Sequence, residues 1–239
     1  MDYVLVEMSQ RELIHEGDFD TLIILDACRY DYFKKYNTIP GNLLKVDSHS
    51  RHTYEWLEYV FPDKYPWEYI TAHPHIVNRP IPKRFDGSAH FTKVHPLWLY
   101  HWNSKLGTVH PDDVSRYVST CRYDKAIVHY IQPHGPWIGK NKLLNPWTLE
   151  QHEKYGMMAD FIASYVKPDP TFFRICYKDN LNLVLNSIKK HLKLFKGRVV
   201  ITADHGEMLG ERGLYLHKTN FPEWASRILR EVPWFTVKE

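Results

Sequence analysis

Three short, continuous apolar runs mark out the chain. Thr21-Leu22-Ile23-Ile24-Leu25 ends at Asp26. Lys125-Ala126-Ile127-Val128-His129-Tyr130-Ile131 runs into Gln132-Pro133-His134-Gly135-Pro136, and Arg198-Val199-Val200-Ile201-Thr202-Ala203 runs into Asp204-His205-Gly206. Their length and β-branched content suit strands buried on both faces, as in a parallel sheet. Between them the period changes. Residues 171–195 carry Ile175, Leu181, Val184, Leu185, Ile188, Leu192 and Leu194 at mostly three- and four-residue steps, with Gly197 as a helix stop. Asp112–Thr120, after Pro111, reads as a shorter helix. Strands alternating with helices predict an α/β fold: a three-layer sandwich with a mainly parallel central sheet and helices on both faces. Ligands of such sheets bind outside the carboxyl ends of the strands. That rule brings Asp26, His129, His134, Asp204 and His205 to one site.

Residues 65–106 break the pattern, being rich in Pro, His, Trp and Tyr. They read as an irregular, lid-like insertion in a single domain spanning 1–239. The aromatics there pack the core or shape a substrate pocket. His73, His75, His90, His95 and His101 are too irregularly spaced for a metal site and read as lid or pocket residues.

Composition narrows the field. Hydrophobic residues at 44% and charged residues at 25% are globular values. A formal net charge of +3 argues against a nucleic-acid partner. Fifteen histidines are the unusual feature. Cys28, Cys121 and Cys176 form no CxxC pair, so neither a disulfide framework nor a cysteine zinc site is expected. Met1-Asp2-Tyr3-Val4 shows no basic and apolar leader, and no run approaches the roughly 20 residues of a membrane span. The expectation is a cytoplasmic protein.

An Asp after a single strand is more often a helix cap than a ligand. Repetition at equivalent places on three strands is what points to chemistry. Adjacent Asp204 and His205 offer a carboxylate and an imidazole, a set suited to Zn²⁺ or Mn²⁺. Glu207 either orients these ligands or caps the following turn.

Longer motifs follow the same order. Asp204-His205-Gly206-Glu207-Met208-Leu209-Gly210-Glu211-Arg212-Gly213 resembles the DHGE-x-LGE-x-G signature of the alkaline phosphatase/sulfatase superfamily. Leu22 to Asp31 resembles its first metal-binding strand and turn, and His129 to Trp137 its H-x-x-x-PH-x-P-[YW] element. Tyr177-Lys178-Asp179 is similar to a Y-x-D helix before the last core strand. Gly213-Leu214-Tyr215-Leu216-His217-Lys218 and Val232-Pro233-Trp234-Phe235 resemble the closing GLYGH and VPW segments.

The resemblance implies that Asp26, Asp204 and His205 bind a divalent metal, zinc or manganese first, magnesium or calcium as alternatives. It places the nucleophile within Asp47–Leu57, at Thr53 by spacing, with Ser50 second and Ser48 third; the other reading of Thr53 is a helix cap. A metal makes such a hydroxyl a competent nucleophile at neutral pH. His134 or His129 would protonate the leaving oxygen or hold the transferred group. His217 would join the metal ligands, build part of a second site or hold substrate oxygens, while Lys218, and Ser50 if not the nucleophile, would face the anionic group. Thr53 is followed by Tyr54-Glu55-Trp56, so the C-x-P-S-R motif of formylglycine sulfatases is absent.

The function implied is a metal-dependent hydrolase of phosphate mono- or diesters working through a covalent intermediate. A sulfatase, a phosphoethanolamine- or phosphoglycerol-type phosphotransferase, and a non-catalytic binding protein retaining the fold are the alternatives. The partner would be a small-molecule, glycan-linked or lipid-linked anionic ester.

Overall fold

The computed structural model describes residues 8–143 and 168–238. Met1-Asp2-Tyr3-Val4, read above for a leader, lie outside them. Seven strands form the central sheet: β1 (Thr21–Leu25), β2 (Gly41–Asp47), β3 (Tyr65–Thr71), β4 (Phe91–Pro96), β5 (Ala126–Tyr130), β6 (Val199–Thr202) and β7 (Glu231–Val237). Their spatial order is β2-β7-β6-β1-β5-β3-β4. All run the same way except β7, which is antiparallel to both of its neighbours.

The three apolar runs are the three central strands. Every residue of β1, β5 and β6 is buried, because helices cover both faces of the sheet. One group comprises α2 (Tyr30–Tyr36), α4 (Pro111–Val118) and α5 (Pro170–Lys190), with α2 and α4 both packed on α5. The other pairs α1 (Gln10–Glu16) with α3 (Thr53–Val60): the Trp56 indole donates to Gln10 Oε1 at 2.8 Å, and His15 Nε2 donates to the Val60 carbonyl at 2.7 Å. A last helix, α6 (Glu223–Arg230), leads into β7.

The expected insertion at 65–106 is only partly irregular. Within it lie β3, at its start, and β4, which extend the parallel sheet beyond β5 to one edge. Their aromatic residues concealed the pattern. Tyr65, Trp67, Tyr69 and Phe91 cluster with Phe61 as tilted and edge-to-face pairs, so these rings belong to the core.

Register then decides what meets at the carboxyl edge. Ile24 lies opposite both Thr202 and His129, and Thr71 lies opposite His129. Two residues further along each strand, Asp26, Asp204 and His73 stand at one level.

Candidate active site

Asp26, Asp204 and His205 converge as the sequence predicts, with ligand atoms all within 4.8 Å of one another. All three are buried, at 1%, 0% and 0% exposure. Each oxygen of Asp204 has its own surroundings. Oδ1 accepts the backbone N–H groups of Ala27 (3.1 Å) and His205 (2.9 Å). Oδ2 accepts the Thr53 hydroxyl at 2.7 Å. The His205 imidazole is oriented by the Gly206 carbonyl, 2.9 Å from Nδ1. A carbonyl only accepts, so Nδ1 carries the proton and Nε2 keeps a lone pair. That Nε2 lies 3.5 Å from both Asp26 Oδ1 and Asp204 Oδ2.

These residues fit a divalent cation. Both carboxylate oxygens of Asp26 are buried without a hydrogen bond, an expensive state that a bound cation relieves. The donor set is two carboxylates, a lone-pair imidazole nitrogen and a hydroxyl, which suits zinc or manganese. Burial, then the charges of Asp204 and Glu207, push Asp26 well above the ordinary carboxylate range. Burial also pushes Asp204 up, but His205, His129, the Thr53 hydroxyl and the Ala27 amide outweigh it and hold that carboxyl low. His205 is held down to about 4 by burial against the pull of Asp204.

Thr53 is not the helix cap. His52 is, its Nδ1 accepting the Glu55 amide, while Thr53 is the first helical residue. Its hydroxyl is thereby free for Asp204 and lies 3.4 Å from His205 Nε2. It also sits at the positive end of α3, which favours an anionic oxygen. Ser50 is buried on the same approach, its hydroxyl without a hydrogen bond, and its carbonyl accepts the Ser48 hydroxyl.

His217 does not join the first cluster. It forms a second one with His134 and Glu207. Its Nδ1 donates to Glu207 Oε1 at 2.9 Å, and His134 Nδ1 donates to the Gly135 carbonyl at 2.8 Å, which leaves both Nε2 atoms as lone pairs. The His217 ring lies 4.4 Å from that of His205 and 5.2 Å from that of His134, so the two clusters adjoin. The Glu207 carboxylate faces His217. Lys218 is exposed beside this cluster. His129 lies behind Asp204, its Nε2 3.9 Å from Oδ2 and its Nδ1 2.8 Å from the Tyr69 hydroxyl.

Three site residues escape sequence reading. His73, assigned to the lid, is buried with Nε2 3.4 Å from Asp26 Oδ2. Its Nδ1 accepts the His75 amide, so Nε2 bears the proton and faces the carboxylate. Gln10 is fully buried and donates to Thr202 Oγ1 and the Ala203 carbonyl, each at 2.6 Å, while accepting from Trp56. It ties the helix bearing Thr53 to the strand that delivers Asp204. Tyr69, on β3, orients His129. Only His73 left a signal, its place two residues after a strand.

Gly206 shows why the signature needs glycine. Its N–H donates to the Leu229 carbonyl at 2.6 Å, and an added Cβ would meet the Ile228 carbonyl at 2.6 Å. The turn after His205 closes only with no side chain there.

No family model and no curated protein matches the sequence. Solved structures do match. The zinc-bound C-terminal periplasmic domain of EcEptC from Escherichia coli is 14% identical with a TM-score of 0.59, over 92% of this chain and 72% of that one. The soluble domain of lipooligosaccharide phosphoethanolamine transferase A from Neisseria meningitidis is 13% identical (TM-score 0.52, 91% and 76%). The C-terminal periplasmic domain of phosphoethanolamine transferase EptC from Campylobacter jejuni is 15% identical (TM-score 0.51, 90% and 77%).

These matches overturn the expectation of a cytoplasmic protein, since two of the three are periplasmic domains. The unpaired cysteines and the first few residues carried no information on compartment. Among the described residues no helix is long and apolar enough to cross a membrane. The fold of this chain is that of these phosphoethanolamine transferase domains.

Proposed function

We propose that the chain is a metal-dependent enzyme that transfers a phosphoryl-containing group from a phosphate ester through Thr53. The observation that carries this reading is the Thr53 hydroxyl, 2.7 Å from Asp204 Oδ2 and 3.4 Å from His205 Nε2. A hydroxyl buried against a carboxylate and a lone-pair imidazole, beside a second carboxylate without a hydrogen bond, is arranged for activation rather than for helix capping. Asp26, Asp204 and His205 would hold the cation. A divalent ion there lowers the hydroxyl pKa and draws charge from the ester oxygen.

The chain's own groups divide the remaining work. Asp204 is held low in pKa, so it orients the Thr53 hydroxyl rather than keeping its proton. His129 and Tyr69 support Asp204 from behind. His129 is fully buried there, which favours this supporting role over contact with a leaving group. His134 and His217 would take the substrate side: each Nε2 would accept the proton of an incoming alcohol and, once protonated, donate to the leaving oxygen. Lys218, exposed beside His217, adds positive charge at the rim.

Transfer to a second alcohol is favoured over hydrolysis by fold similarity to phosphoethanolamine transferase domains over 91% and 90% of this chain. The same similarity favours a lipid- or glycan-linked ester and an extracytoplasmic setting. The test is turnover of p-nitrophenyl phosphate, bis-p-nitrophenyl phosphate and p-nitrophenyl sulfate with zinc or manganese, with mass spectrometry of the quenched enzyme. A phosphoryl adduct on the Thr53 peptide, absent in Thr53→Ala, is expected. An adduct on Ser50, or a Thr53→Ala enzyme of full rate, rejects the assignment.

A further inference from the structure

The Y-x-D helix is left without a role by the chemistry above, yet its tyrosine reaches the metal-binding turn. Ala27, directly after Asp26, has φ = +58°, a left-handed conformation that L-residues with a Cβ avoid. The conformation has a use here: it aims the Ala27 N–H at Asp204 Oδ1, 3.1 Å away. With the His205 amide this occupies Oδ1 and leaves Oδ2 for Thr53 and the cation position.

Within the turn the Cys28 N–H donates to the Leu25 carbonyl at 3.2 Å. Tyr177, from α5, braces its outer side. Its hydroxyl donates to the Ala27 carbonyl at 2.7 Å and accepts the Arg29 N–H at 3.0 Å, bridging the two sides of the turn. Tyr177, Ala27 and Cys28 are fully buried, so no water can replace the hydroxyl. The Tyr177 ring is braced edge-on by Tyr32, with centroids 5.1 Å apart. The far side of the turn is anchored by Arg29, whose guanidinium binds Asp31, Glu211 and the Glu207 carbonyl. Strain of this kind persists only where its surroundings over-determine it.

We infer that Tyr177 is a positioning residue for the metal site, its hydroxyl holding Ala27 in the conformation that orients Asp204. The inference rests on the reading of Asp26 and Asp204 as cation ligands and extends it to Tyr177, 150 positions from Ala27.

The experiment measures zinc affinity of the full chain by competition with a chromophoric chelator. Tyr177→Phe keeps the ring and removes only the hydroxyl. Zinc affinity is expected to fall about tenfold, in the range typical of lost outer partners of metal ligands. Adding Ala27→Gly should restore most of it, because glycine adopts φ = +58° without help. A role in packing alone would leave zinc affinity unchanged in Tyr177→Phe, or unrescued by Ala27→Gly, and either result overturns the inference. Should Tyr177→Phe not fold, Ala27→Gly is compared with the double variant. Equal zinc affinities support the inference, and a tenfold gap overturns it. A wild-type chain that binds no zinc rejects the cation reading and this inference with it, whereas tight wild-type binding unchanged in Tyr177→Phe rejects the inference alone.

Discussion

Asp204 has the most demanding position in the molecule, since its two oxygens serve different partners. Oδ1 is held by two backbone amides and Oδ2 faces the Thr53 hydroxyl and His205. An amide side chain supplies only one accepting atom and no charge, so it fails one role whichever way it turns. Asp204→Asn should weaken zinc binding by more than the roughly 10–100-fold typical of losing an outer partner, and abolish turnover. Calorimetric titration with zinc checks the first effect; unchanged affinity would remove Asp204 from the ligand set. Much of this residue-level chemistry was legible, because Asp26, Asp204 and His205 lie within three residues of the end of a buried strand. His73 stands two residues past a strand as well, but its neighbourhood of Pro74, His75 and scattered aromatics disguised that strand.

At the scale of elements, Gln10 shows how one side chain aligns two segments that carry chemistry. It links Trp56 on α3 to Thr202 and Ala203 at the end of β6, and Thr202 in turn donates to the Pro233 carbonyl at 2.6 Å. Gln10→Ala would leave the buried Trp56 indole without its acceptor. Each group so stranded costs about 1–3 kcal/mol. The expected outcome is a chain destabilised by about 2–3 kcal/mol in urea unfolding, with turnover reduced further than zinc binding, because Thr53 shifts relative to Asp204. Equal losses in both would mean that Gln10 acts on stability alone. No pattern in the sequence pointed to Gln10. A polar residue at the start of an amphipathic helix reads as surface, and only the approach of α1 to β6 buries it. Strands β3 and β4 were missed for a related reason: aromatic side chains on strands look irregular until the rings meet across the sheet.

For the whole molecule, the buried histidines link stability to pH. His129 and His205, ordinarily near 6.5, are held down to about 4 by burial. The unfolded chain therefore binds more protons than the folded one between those values. Their contribution is present above pH 6.5 and is lost as pH falls toward 4. Burial lowers His73 and His134 in the same direction. Asp26 has the opposite sign: with a raised folded pKa its contribution is present at low pH and lost as pH rises through that value. In a chelating buffer the melting midpoint should drop by several degrees between pH 7 and pH 4.5, as scanning calorimetry would show. A flat or rising midpoint would contradict the neutral state of these histidines. Restoring zinc at pH 7.5, a hundredfold above its Kd, should add about 2.7 kcal/mol of stability.

From the sequence alone came the three central strands, the long helix, the α/β class and the chemistry at the strand ends. Burial on both faces writes continuous apolar runs, and signature residues sit beside them. Tertiary structure alone decided which histidine serves which cluster. It moved His217 to Glu207 and His134, brought His73 to Asp26, and put His129 behind Asp204. The same holds for Tyr177 and Gln10, whose partners lie about 150 and 190 residues away. Periodicity reports whether a side chain faces the core. It carries nothing about which distant group will be waiting there, because that depends on strand register and on helices docking from elsewhere in the chain.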